Sequence, residues 1–138
     1  MRPLLEEKYR MKNLLLEIIT PDGQIFSGDI KEVILPGIEG EFGVLPEHVS
    51  LFTLLKAGMI EFIKENGGHE AVIINSGNVT VTEGEVVALV DGAVPVVTSS
   101  EESEIASALK DAQTLLKDVA DSKTILASVE SKIDSIRA

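Results

Sequence analysis

Cysteine is absent from the 138-residue chain. That excludes a disulfide framework, a thiolate nucleophile and Cys-bound zinc, and it suits a reducing compartment. Tryptophan is absent as well, and Tyr9 is the single tyrosine, so platforms for stacking nucleic-acid bases are poorly supplied. Positive charge is scarce. Twelve Lys and Arg stand against 23 Asp and Glu, for a net charge of −11. Such a balance argues against nucleic acid and anionic lipid as direct partners. No apolar run approaches the roughly 20 residues of a membrane-spanning helix, so no lipid insertion is expected. Glu6, Glu7 and Lys8 interrupt the start, and no signal-peptide layout is read there. What is present, 44% hydrophobic and 25% charged residues, is the composition of a soluble globular protein of one domain, or of a small domain with an appendage.

Residues 1–10 stand apart, because Met11 followed by Lys-Asn-Leu-Leu-Leu-Glu-Ile-Ile reads as a second start. This extension is expected to be disordered or loosely helical from Leu4 to Tyr9, whether a native arm or not. Residues 11–98 read as β structure. Leu14 to Thr20 forms a strand that stops at Pro21-Asp22-Gly23, and Gln24 to Gly28 and Ile30 to Leu35 follow. Met59 to Lys64 and Ala71 to Asn75 flank Asn66-Gly67-Gly68, a hairpin signal. Asn78 to Thr82 and Glu85 to Val90 flank the turn Glu83-Gly84. Short β-branched runs between regularly spaced turns indicate a sandwich or barrel.

The segment Pro36 to Ile60 is the most distinctive. Gly37, Gly40, Gly43, Gly58, Pro36 and Pro46 sit among apolar residues, which predicts several sharp turns. Glu39, Glu41, Glu47 and His48 then lie on turns, as a partner-facing group or as a plain solvated cluster.

At Thr98-Ser99-Ser100 the apolar period changes from two to about 3.6. Ser99 or Ser100 is the expected N-cap, and Glu101, Glu102 and Glu104 suit the positive end of a helix. One seam is Ile105, Leu109, Ala112, Leu116 and Val119. After Asp121-Ser122 a second runs through Leu126, Val129, Ile133 and Ile136. Residues 99–138 are thus expected to form an αα-hairpin whose narrow seam docks weakly.

Catalytic and metal motifs are missing. His48 and His69 are the two histidines, and neither stands in a metal-binding pattern. Gly37 to Gly43 lacks the Gly-Lys-Ser/Thr of a phosphate loop and opens no helix of a dinucleotide site. Asn75-Ser76-Gly77 is no nucleophile elbow. Glu41 and His48 are the one pair nominated for an enzyme.

The segment from Pro36 onward, Gly-x-x-Gly-Glu-x-Gly-Val-Leu-Pro-x-His-x-x-Leu-x-Thr-x-Leu-x-x-Gly, resembles the signature of the ε subunit of the F-type ATP synthase. The resemblance extends over about residues 13–97. It includes Leu16 to Gly23 with Phe26-Ser27-Gly28, then Val72 to Val81 with a Ser-Gly turn, and Val86 to Ala93 as closing strand. It implies a mainly β N-terminal sandwich of about ten short strands and a C-terminal helical hairpin. The implied role is a non-catalytic rotor subunit in the central stalk. The γ subunit and the c ring are its partners, on the cytoplasmic face of a bacterial inner membrane. Glu39, Glu41 and His48 match the residues that face the c ring, and Phe52 and Met59 are candidate γ contacts. Two departures lie nearby: Glu47 stands where Gly is usual, and Ser50 where Pro is usual.

In many bacterial members the hairpin extends along γ and obstructs ATP hydrolysis, meeting the β subunit with a segment rich in Arg and Lys. From residue 101 onward this chain has five basic and eight acidic residues, a net of −3, which weakens that expectation. Some members bind ATP through an Ile/Leu-Asp-x-x-Arg-Ala motif. The matching Ile105 to Lys110 lacks its Asp and Arg, and the copy at Ile133 to Ala138 closes the chain. No cofactor is expected. The rival reading is a free-standing β-sandwich binding module.

Overall fold

The computed structural model describes residues 13–47, 49–98 and 100–137. The expectations for residues 1–10 and for His48 fall outside these. Seven strands are formed: β1 (Leu14–Thr20), β2 (Gly23–Gly37), β3 (Gly40–Val44), β4 (Leu51–Lys64), β5 (His69–Thr82), β6 (Glu85–Val90) and β7 (Ala93–Val96). Helices α1 (Glu102–Leu116) and α2 (Ser122–Arg137) follow. A sandwich with a helical hairpin is therefore present. The strands number seven rather than about ten because β2, β4 and β5 run 15, 14 and 14 residues without a break.

The strand path is β1-β6-β5-β4-β2, and it closes because β2 also pairs with β1. β3 hangs on β2 and β7 on β5. Among the described residues β1–β6 alone is parallel. The turn chemistry explains the hairpins. Thr20 Oγ1 donates to Gly23 O at 3.1 Å and accepts from Asp22 N at 3.1 Å, closing the β1–β2 turn. Gly68 N donates to Asn66 Oδ1 at 2.9 Å in the β4–β5 turn. Side-chain oxygens that mimic a backbone turn are the reason Asn and Thr punctuate strands.

Gly77 corrects one expectation. Ser76-Gly77 is no turn but lies inside β5. A Cβ on Gly77 would stand 2.4 Å from Leu89 O and 2.9 Å from Val90 Cα. The glycine is needed there for close approach of two backbones. Ser76 Oγ donates to Asp91 Oδ2 at 2.5 Å and Gly92 N to Asn75 Oδ1 at 2.8 Å, which fastens the β6–β7 link to β5.

Two apolar cores result. The first fills the sandwich and is built from alternate residues such as Leu14, Leu16 and Ile18 of β1 with Ile60, Phe62, Val72 and Ile74. The rings of Phe26 and Phe62 meet there with centroids 4.5 Å apart. The second lies on the opposite side of β4 and β5. Ala57, Met59, Ala71, Ile73 and Val96 form its floor, and Ile105, Ala112, Leu116, Val129 and Ile133 of the helices cover it. Residues 71–74 are all buried for this reason, odd ones under the helices and even ones in the sandwich. Leu109, Val119, Leu126 and Ile136 pack at the margin, so the helical seam follows the predicted spacing.

The helix start differs from expectation. Glu101 is the N-cap residue and makes no side-chain cap bond. Ser100 instead donates its N–H to Val97 O at 3.0 Å, and its carbonyl accepts Arg137 Nη1 at 2.7 Å. Ser100 thus lies one residue before the N-cap, and its carbonyl is tied to the end of α2. The break between the helices falls at Asp121, with φ 61, whose carbonyl accepts Ile125 N at 3.0 Å.

Candidate partner-binding surface

The turn cluster sits at the end of the sandwich where β2 doubles back into β3. Gly37 pairs with Gly40, which leaves Ile38 and Glu39 at the tip. Gly40 has φ 136, a conformation that L side chains rarely adopt. Glu39 and Ile38 are exposed there, and Leu45 is exposed at the far end of β3. Glu47 has φ 70. That is the left-handed backbone that glycine favours, held here by a glutamate.

Glu41 behaves differently from Glu39. It lies in β3, opposite Pro36, and its Oε2 accepts a hydrogen bond from Lys132 Nζ of α2. The same ammonium stands 3.8 Å from Glu61 Oε2 on β4. Burial raises the Glu61 carboxyl above its ordinary value of 4.5; Lys132 and His69 pull it down, and Glu41 and Glu32 push it up. Glu39 and Glu41 line one cleft but differ in their contacts. One faces out at the turn, the other is engaged by the hairpin. Among the described residues no group of three or more His, Asp or Glu side chains could hold a metal ion.

Phe52 and Met59 also part. Phe52 is 64% exposed on the outer face of β4, whereas Met59 is 2% exposed, beneath the helices. In this arrangement the hairpin covers Met59, which is not open to another chain while the helices are docked. Strand register extends the Phe52 surface. Phe52 lies opposite Thr80 and Thr80 opposite Val87; Leu54 lies opposite Asn78 and Asn78 opposite Leu89. Leu54 and Leu89 are 50% and 47% exposed. Sequence reasoning missed these two residues. The signal was Leu51-Phe52-Thr53-Leu54-Leu55, apolar on both faces of one strand, where a face open to water usually alternates with polar residues. A shallow cleft of about 450 Å³ joins this face to the turn cluster, lined by Glu39, Phe42, Leu51 and Phe52 among others.

The N-terminal part matches a family model described as "ATP synthase, Delta/Epsilon chain, beta-sandwich domain" over residues 13–96. The ATP synthase epsilon chain of Nitratiruptor sp. is 49% identical over 124 residues, covering 90% of this chain and 95% of that relative. That of Wolinella succinogenes is 51% identical over 125 residues, covering 91% and 95%.

The chain belongs to the ATP synthase epsilon chains.

Solved structures agree on the fold. A chain of the Euglena gracilis mitochondrial ATP synthase aligns with TM-score 0.59 and 22% identity, over 91% of this chain and 75% of the other. A chain of the Tetrahymena thermophila mitochondrial ATP synthase central stalk and c ring aligns with TM-score 0.51 and 12% identity, over 90% and 91%. Among the described residues no helix is long and apolar enough to cross a membrane.

Proposed function

We infer that the chain works as a central-stalk, rotor subunit of an F-type ATP synthase, joining the c ring and γ to the catalytic head without catalysing a reaction itself. Membership of the epsilon chains carries the stalk role. The finer assignment of surfaces rests on one observation: the outer face bearing Phe52, Leu54 and Leu89 is apolar and uncovered, while the rest of the outward apolar surface of β4 and β5 is sealed by the protein's own helices. Apolar faces of this kind mark protein interfaces. The γ subunit is the partner assigned to it. The turn at Glu39, with Glu41 and His48, is assigned to polar loops of the c ring, where carboxylates would make charge-assisted contacts. The β subunit is assigned to the hairpin. Attachment to the membrane is then peripheral, through these partners, on the cytoplasmic side of a bacterial inner membrane.

Replacing Phe52 and Leu54 together by Ser tests the assignment. Both side chains are half or more exposed, so fold stability should change by less than about 1 kcal/mol. Co-purification with γ should fall at least tenfold, since apolar anchors dominate interfaces. Full retention of γ with an unchanged melting temperature would overturn the assignment.

A further inference from the structure

We propose that Glu41 is shared between two competing contacts, so that docking of the helical hairpin and engagement of the ring-facing turn are thermodynamically linked through Lys132. The proposal rests on the reading of Glu41 as a ring contact and adds a regulation to it.

The geometry is specific. Lys132 Nζ is bonded to Glu41 Oε2 and is 3.8 Å from Glu61 Oε2. No other salt bridge is recorded among the described residues between the helices and the sandwich. Glu41 and Glu61 come from β3 and β4, and each raises the local negative potential, together with Glu32. When α2 is docked, one ammonium serves both carboxylates. When α2 lifts, they are left as like charges without that cation. A basic or amide group of an outside loop that takes Glu41 thus removes a partner of Lys132. Conversely, an undocked α2 releases Glu41 to the outside. Linkage of this form is reciprocal.

The pocket beneath Lys132 fits a contact made to open. A groove of about 240 Å³ separates α2 from the sheet there, lined by Pro36, Glu41, Met59, Ile125, Val129 and Lys132 among others. Packing at this edge is incomplete, whereas Ile133, the next residue, is buried. The opposite end of α2 is tied by Arg137 Nη1, which donates to Thr98 O at 2.9 Å and to Ser100 O at 2.7 Å. Those bonds involve only the linker between sandwich and hairpin, so they report no partner. Among the described residues, the Lys132 contact is the salt bridge that joins the hairpin to Glu41 of the turn segment.

The side chains of Lys132 and Glu41 are 32% and 47% exposed, so the coupling is modest, roughly two- to fivefold. Amide hydrogen exchange over residues 122–137 of the full chain reads the first half. Lys132→Met and Glu41→Gln should each speed exchange there about two- to fivefold and leave β1 and β5 unchanged, and the differences should shrink in 0.5 M salt. Unchanged exchange in both variants would overturn the clasp.

Attachment to purified c ring with γ reads the second half. Lys132→Met should strengthen attachment by a similar factor, because it frees Glu41, while Glu41→Gln should weaken it. Weakening by Glu41→Gln without strengthening by Lys132→Met overturns the linkage alone. Attachment insensitive to Glu41→Gln, with exchange still accelerated, overturns instead the ring assignment on which the linkage rests.

Discussion

The two ends of the β4–β5 pair carry similar outward residues and meet different fates. At one end Ala57, Met59, Ala71 and Ile73 are sealed by the protein's own helices. At the other, Phe52 and Leu54, with Leu89 of the adjoining β6, stand open to solvent. Both ends share one sandwich core beneath them. The difference is one of cover: an apolar outward face is sealed within the molecule at one end and open at the other, where a partner is proposed to dock. The sealed face joins hairpin to sandwich through the apolar seam, the Lys132 contact and the Arg137 bonds to Thr98 O and Ser100 O.

Replacing Ile60 by Ala should erase the distinction between the ends, because Ile60 is fully buried in the shared core. A loss of about 2–5 kcal/mol is expected. Urea unfolding followed by circular dichroism should show strands and helices lost together. Helix loss at unchanged sheet stability would show that Ile60 belongs to the hairpin interface instead.

A smaller effect should follow removal of residues 101–138. The strand path closes before Thr98, so the sandwich should fold alone, as a domain of residues 11–98. Uncovering Met59, Ile73 and their neighbours should cost about 1–3 kcal/mol, and a hydrophobic dye should bind the exposed floor. A truncated chain with the spectrum of a random coil would show that the hairpin is needed to hold the sheet.

The smallest effect concerns Glu61, at the rim of the covered end. Its carboxyl is raised above 4.5 mainly by burial, so the folded state holds its proton more tightly than the unfolded state. The contribution of Glu61 to stability is then fullest below pH 4.5 and is lost as pH rises through the raised value. Glu61→Gln carries no such dependence. The stability of the variant relative to the parent should rise between about pH 4 and 7, by less than about 1 kcal/mol. Melting temperatures measured in parallel across that range check the sign, and a falling difference would mean that attraction to Lys132 outweighs burial.

Much of the fold was legible in the chain. The alternation of Leu14, Leu16 and Ile18 marks one buried face, and all three are at most 1% exposed. The turns at Pro21-Asp22-Gly23 and Asn66-Gly67-Gly68 carry their geometry in two or three residues. The helical seam repeats at 3.6 because helix geometry is local. The candidate site was legible only in part. Glu39 could be placed on a turn from its flanking glycines, but Phe52 and Met59, seven positions apart on one strand, could not be separated, since burial depends on what covers each end.

What the sequence determined by itself was therefore what neighbours along the chain decide: strand and helix periods, turn positions, the charge balance and the epsilon-type signature. Tertiary structure alone decided the rest. It brought Lys132 to Glu41 across 91 positions, tied the Ser100 carbonyl to Arg137, and set β6 backbone against Gly77. Each of these depends on strand register and helix docking. Such long-range pairings are selected by the packing of the whole molecule, so no local run of residues encodes them.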